Sequence, residues 1–357
     1  MAKNNKKQDI SIIINIIFLL IFISAIVGFF LIFGKNNFEA LKTGIKQSYN
    51  DKDKQTISLP IKQESEKKAE LPEFKNYKFK YTYDVNIIGH IKNLDVNIYI
   101  PFDEKEKQYI SDFNMSVKPT KMYNDGASNI AEYHIENIDN QHIVFTYEGK
   151  AKLRTYDIKL AKLMNKNFTP EKDLTKYLQP EPYIESNDNM IKNIAKKIKG
   201  STQEEIVQNI YEYTQKNLNY KPIPGTMGAK KALQMKEGKC AEYSAVMVAL
   251  CRAKNIPARV VIGNIARKQI PQHGWVEVYY DEYGWVTYDP TKQATEVTVL
   301  DSKGNVVKKE KRYEVNTNLN YITSGKNAFN PFSMSFSTTP TQNGTARLSE
   351  AIEIEEI

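Results

Sequence analysis

Residues 10–33, ISIIINIIFLLIFISAIVGFFLIF, form a run of 24 nearly uninterrupted apolar residues without a single charge. A helix rises about 1.5 Å per residue, so a stretch of this length crosses the roughly 30 Å hydrocarbon core of a bilayer. A buried helix in a soluble protein is rarely so long or so uniform. A cleaved signal peptide has a shorter apolar region, about 7–15 residues, followed by a small-x-small site. No such site follows here, and the run reads as an uncleaved single-pass transmembrane anchor behind a short tail, residues 1–9. Lys3, Lys6 and Lys7 precede the span while Lys35, Lys42 and Lys46 follow it, so the positive-inside count is nearly balanced. The shortness of the tail favours tail inside and an extracytoplasmic remainder.

That remainder is long enough for about two domains. The chain has 41% hydrophobic and 26% charged residues and 22 Tyr, which suits a sizeable core with much β structure. Its net charge of +8 is spread as Lys mixed with Asp and Glu. No basic block is interleaved with aromatics, so the charge argues for solubility or attraction to an anionic surface and against nucleic acid. Two cysteines cannot build a disulfide framework.

Residues 34–73 are polar and poor in aromatics, and read as a linker. A β-rich domain is expected over 74–180. YKFKYTYDVNI, LDVNIYIPF, IAEYHIENI and HIVFTYEGKAKL alternate apolar with polar residues, with turns at Asn124–Ser128 and Asp139–Gln141. A sandwich is the expected form. His90, His134 and His142 fall in this part, none at metal-ligand spacing with a second His or Cys, and they read as surface or satisfied strand histidines. The prolines of LQPEPYI mark a boundary, and a second domain is expected over 181–323. Its first helix carries the stripe Ile191, Ile194, Ala195 and Ile198. Thr202 caps the next, with Glu205 at capping-box spacing and Ile206, Ile210 and Tyr213 on one face. A hairpin is expected around Lys303–Asn305. Residues 324–357, rich in Ser, Thr, Asn and Pro over their first two thirds, are expected to be a disordered tail.

Both cysteines lie in GKCAEYSAVMVALC, Gly238–Cys251. Cys240–Lys254 reads as one helix, and eleven residues of helix separate the two sulfurs by roughly 16 Å, which excludes a disulfide between them. Cys251 sits on the apolar stripe as core. Cys240 sits in the first turn, where unpaired N–H groups and the helix dipole favour a thiolate, and Gly238 before it would allow a tight turn and a close substrate approach. A packed cysteine and a nucleophile both fit Cys240 on these grounds. A thiolate catalyst needs a base, and the base needs an orienting group. His273 opens a strand running to Tyr280, and the chain returns from Gly284 to Asp289. An odd-numbered loop with Gly284 as a left-handed residue would put His273 and Asp289 on the same face. The pattern permits the pair without requiring it.

GKCAEYSAVMVALCRAKNIPARVVIG followed by HGWVEVYYDEYGWVTYDPT resembles the transglutaminase-like superfamily of papain-type cysteine enzymes, over roughly Lys192–Lys292. Three blocks occur in order: Gly-x-Cys opening a helix, Ile-Pro-Ala-Arg entering a strand, and His-x-Trp-x-Glu-Val followed by Trp-x-x-x-Asp-Pro-Thr. The resemblance implies an α+β fold in which the cysteine helix packs on an antiparallel sheet, preceded here by the β-sandwich-like domain. It implies Cys240 as nucleophile, His273 as general base and acid, and Asp289 as the group that orients the imidazole. The Cys240 backbone N–H and, by the same resemblance, Tyr220 are the expected oxyanion donors. Trp275 and Trp285 read as sheet-face packing. Gly274 after the His and Ala241-Glu242 after the Cys are local departures bearing on substrate preference. No metal or other cofactor is expected. The implied substrate is an amide of a protein or peptide, with cell-wall peptides among the candidates. Hydrolysis is favoured over amine crosslinking, and a membrane-tethered binding protein without turnover is the alternative.

Overall fold

The computed structural model describes residues 72–125, 127–164, 170–267, 272–291, 295–300, 306–312, 320–326, 334–340 and 344–357. The expected tail at 1–9, the span at 10–33 and nearly all of the linker at 34–73 lie outside them. No helix among the described residues is long and apolar enough to cross a membrane.

The first half is built from six strands, β1 (Lys75–Ile88), β2 (His90–Ile100), β3 (Gln108–Met115), β4 (Lys121–Asn124), β5 (Asn129–Asp139) and β6 (His142–Leu153). Strict alternation makes them. In β1, Tyr77, Phe79, Tyr81, Tyr83, Val85 and Ile87 are all buried, while the intervening residues lie at or towards the surface. Two sheets share one apolar core, in which Tyr81 stacks on Tyr147 at 4.6 Å. His90, His134 and His142 stay at the surface, beside Asp139, Asp95 and Asp84 respectively.

Among the described residues five α-helices follow, the first of them still inside the span 74–180 expected to be β-rich: α1 (Ile158–Met164), α2 (Asn189–Lys197), α3 (Gln203–Asn217), α4 (Ala229–Met235) and α5 (Cys240–Ala253). Thr202 caps α3 by accepting from Glu205 N at 3.2 Å, but Glu205 Oε2 accepts from Ser201 N, one residue before the expected capping-box partner. The buried stripe of α3 is Val207, Ile210, Tyr211 and Thr214, so Ile206 and Tyr213 lie at its margins. Every residue from Cys240 to Arg252 in α5 is buried, the mark of a helix enclosed on all sides.

The remaining strands are the short parallel pair β7 (Asn219–Tyr220) and β8 (Glu237–Gly238), then β9 (Ala258–Ile265), β10 (His273–Tyr280), β11 (Gly284–Tyr288), β12 (Thr295–Leu300), β13 (Val306–Arg312), β14 (Tyr321–Lys326), β15 (Met334–Pro340) and β16 (Thr345–Glu356). Strands β11-β10-β9-β14 form an antiparallel sheet, and α5 packs on the face bearing Val260, Ile262, Val276, Val278 and Val286. Strands β12 and β13 pair antiparallel, as the hairpin expected around Lys303–Asn305 requires.

The expectation of a disordered tail at 324–357 is corrected for the described residues in that range, 324–326, 334–340 and 344–357, nearly all of which lie in strands. Strand β16 pairs with β1 from Tyr77↔Glu356 to Ile88↔Thr345, and β15 pairs with β2. The sandwich sheets therefore run β16-β1-β6-β3 and β15-β2-β5-β4, each completed by the C-terminus. An edge strand takes its backbone bonds from an existing partner and needs apolar residues on one face only, so a Ser/Thr-rich segment suffices. Ile354, 2% exposed, lies opposite Phe79.

A buried charge cluster joins the sandwich to the second sheet. Arg259 donates to Glu277 Oε2 through Nε at 2.9 Å and Nη2 at 2.7 Å, and the two residues are cross-strand partners. Lys107, between β2 and β3, bonds the other Glu277 oxygen and pairs with Glu104 at 2.8 Å, while Lys326 in β14 pairs with Glu104 at 2.7 Å. The Arg of Ile-Pro-Ala-Arg and the Glu of His-x-Trp-x-Glu are thus one ion pair that fixes β9 against β10.

Replacing Ile354 by Ala should cost about 2–4 kcal/mol of stability, as for other buried aliphatic truncations. Urea unfolding of the two proteins measures this, and an unchanged midpoint would show that β16 is not docked.

Candidate active site

The turn between β10 and β11 decides which side chains can meet. Tyr280 pairs with Gly284 and Val276 with Tyr288, so the loop holds the three residues 281–283, and Gly284 takes φ 73°. This is the odd-numbered loop with a left-handed glycine that a same-face arrangement requires. His273 and Asp289 meet: His273 Nε2 donates to Asp289 Oδ2 at 2.8 Å, with both side chains buried.

Cys240 opens α5 and is 9% exposed. The His273 ring and the Gly274 backbone N–H stand beside its sulfur, close enough to act on its charge. Because Nε2 is committed to Asp289, Nδ1 is the ring nitrogen left for sulfur. Three residues from separate parts of the chain are thereby brought into one row, with the His273–Asp289 hydrogen bond at its centre.

Burial opposes charge on each member, and the neighbours reverse it. Burial would push the Cys240 thiol up, but the His273 hydrogen bond and charge, with the Gly274 N–H, hold it below the ordinary thiol value. Burial would lower His273, yet the Asp289 carboxylate and the sulfur hold the imidazole well above its usual range. Burial would likewise raise Asp289, and His273 and Thr291 keep it below the usual carboxylate value. The row thus favours thiolate, imidazolium and carboxylate together. Cys251 is the contrast: fully buried in the core, its thiol is pushed up to about 12 by desolvation. Both cysteines are free.

Asp289 is held by more than His273. Thr291 donates to Oδ1 through its backbone N at 3.1 Å and its hydroxyl at 2.5 Å, and the Tyr321 hydroxyl donates to Oδ2 at 3.0 Å. The Asp-Pro-Thr motif carries a signal for Thr291, since Asp and Thr close local turns of this kind. Tyr321 has no local signal; it arrives because β14 pairs with β9. Trp275, 2% exposed, packs on Tyr321 at 4.7 Å and lies nearly parallel to His273. Trp285 is also packing: Tyr177 and Tyr279 meet it edge-on, and the Arg259 guanidinium lies 3.9 Å from its ring centre.

Tyr220 lies in β7, beside Gly238 of β8 and so two residues before Cys240 in the paired strand, and its ring is 6.2 Å from that of Tyr243. Cys240 is the first residue of α5, so its N–H is among those without an intrahelical acceptor. Gly238 has another use than the expected tight turn. Its φ is not positive, and a Cβ there would come within 2.4 Å of Glu242 Cβ. Buried Glu242 folds back through that space to accept from Lys239 N at 3.1 Å and Met227 N at 2.9 Å, which fixes the helix entry and the loop beside it. Glu242 therefore serves the frame of the site. Among the described residues, no group of three His, Cys, Asp or Glu is arranged to hold a metal ion.

Residues 192–290 match the sequence profile of the transglutaminase-like superfamily. Among curated proteins, a Bacillus subtilis protein described as uncharacterized, YebA, is 30% identical over 118 residues, covering 29% of this chain and 16% of that one. The protein-glutamine gamma-glutamyltransferase of Pseudomonas aeruginosa is 36% identical over 84 residues, covering 20% and 13%. The matches thus span a small part of both relatives. A candidate cysteine protease from Cytophaga hutchinsonii superposes with a TM-score of 0.57 at 16% identity, over 80% of this chain and 92% of that one, and shares the fold.

Alkylation separates the two thiols. Cys240 should react with iodoacetamide at pH values below the ordinary thiol range near 8.5. Its rate should fall only as acid protonates the thiolate, and His273→Ala should move that limb upward. Equal, sluggish labelling of both proteins, or labelling confined to Cys251, would contradict the ion pair.

Proposed function

We propose that this chain, which carries a transglutaminase-like domain, is a membrane-anchored cysteine enzyme that cleaves or exchanges amide bonds of protein or peptide substrates. The observation that carries the reading is the row of Cys240 sulfur, His273 imidazole and Asp289 carboxylate. The Cys240 thiolate attacks the amide carbonyl carbon, and charge collects on the oxygen. The Cys240 N–H and Tyr220 are proposed to receive it. The imidazolium gives its proton to the leaving nitrogen, the C–N bond breaks, and a thioester remains. Water or an amine then attacks, losing its proton to His273, and the thiolate departs. Asp289 keeps the ring oriented throughout and balances its charge.

Water gives hydrolysis and an amine gives a new amide. Hydrolysis is the favoured outcome. A resolving amine is the second reading, supported by the matched Pseudomonas aeruginosa relative, a gamma-glutamyltransferase. The choice depends on whether the thioester is shielded from water while an amine binds. With residues 10–33 as anchor and the domain outside the cytoplasm, cell-wall peptides are within reach as substrates.

Mass spectrometry of the protein with a peptide library and a labelled amine distinguishes these outcomes, with Cys240→Ala as control. Label on glutamine indicates transfer, and a cut backbone or glutamine turned to glutamate indicates hydrolysis. No Cys240-dependent change would leave a binding protein on the same fold. For the anchor, carbonate-washed membranes should retain the full-length chain in the pellet, and its release would overturn that assignment.

A further inference from the structure

One oxygen at the centre of the site serves two donors. Asp289 Oδ2 accepts from His273 Nε2 at 2.8 Å and from the Tyr321 hydroxyl at 3.0 Å. Donors that share an oxygen compete for its charge: each weakens the hold on the other. We infer that Tyr321 is a positioning residue of the proposed reaction, whose hydroxyl fixes the Asp289 carboxylate and tempers its grip on His273, so that the imidazolium can release its proton.

The geometry supports this role over simple packing. The Tyr321 and His273 rings lie 6.3 Å apart and 16° from parallel, and Trp275 packs on Tyr321, so the His–Asp bond is walled by aromatic surface. Phenylalanine would supply that wall as well; the hydroxyl is spent on the carboxylate. The ring is also held from outside the transglutaminase-like segment. Two residues along β14, Thr323 N donates to Gln108 Oε1 at 2.8 Å, and Gln108 Nε2 donates to Thr323 O at 3.0 Å. Further on, Ser128 Oγ accepts from Lys326 N at 2.9 Å and donates to Lys326 O at 3.2 Å. Gln108 and Ser128 belong to the sandwich half, which thereby sets where Tyr321 stands. Among the described residues, the titratable groups facing the His–Asp pair are Cys240 from α5 and Tyr321 from β14, while Tyr211 from α3 donates to the Asp289 backbone carbonyl.

The inference rests on the proposed function for its meaning, but its test does not need turnover. In the Cys240→Ala protein, where thiol coupling is removed, nitrogen NMR follows the His273 ring through its titration. Adding Tyr321→Phe should move that titration upward by roughly 0.5–1 unit, because Asp289 then binds the imidazolium without competition. Fluorotyrosine at position 321, a stronger donor, should move it downward and gives the readout even if the Phe variant folds poorly. An unchanged His273 titration in a folded variant, or shifts of the opposite sign, would reduce Tyr321 to packing. Failure of acyl transfer in the unmodified protein would sink the enzymatic reading and leave this titration intact.

Discussion

The hydrogen bond from His273 to Asp289 depends on a strand register, and the site depends on that bond. With Tyr280 opposite Gly284, residues of the same parity share a face, and positions 273 and 289 are both odd. One residue more or fewer in the turn would send the carboxylate to the other face and leave a buried imidazole without its partner. Glycine at 284 answers a backbone need, since φ 73° is open to it at little cost. A local turn therefore fixes the tautomer of His273, and through it which nitrogen meets the Cys240 sulfur.

The electrostatics follow from enclosure. A thiolate, an imidazolium and a carboxylate are each costly to bury alone, and together they offset one another at short range. The helix start, the Gly274 N–H and the donors on Asp289 complete the set. A second enclosed ionic group, Glu277 with Arg259, Lys107, Lys326 and Glu104, works structurally: Glu277 lies four residues along β10 from His273 and pins that strand to both β9 and the sandwich. Breaking such a cluster from one side strands the remaining charges, which gives the strand a fixed place.

The sandwich is more than a neighbouring module. Its two sheets are completed by β15 and β16 from late in the chain, and β14 forms the edge of the sheet that carries His273. Strand β14 thereby stands beside the His–Asp pair, while β15 and β16 belong to the two sandwich sheets. Linkage of this kind explains how Tyr321, far outside the familiar motif, comes to stand beside Asp289.

Much was legible in the residues themselves. Period-2 alternation located β1, β2, β5 and β6, and the cap at Thr202 opened α3, because each signal is written in a few adjacent residues; the Cys, His and Asp blocks pointed to the proposed row through their resemblance to a known family. Glu242 and the arginine-glutamate pair lie within the Cys, Ile-Pro-Ala-Arg and His motifs, yet their use depends on what packs against them. The C-terminal strands and Tyr321 were hidden, since an edge strand borrows its order from its partner and a distant hydroxyl has no local signature. Sequence alone determined which chemical groups are present and the local geometry that presents them. Only tertiary structure decided which groups share an oxygen, because strand pairing brings together residues that nothing in their own neighbourhoods connects.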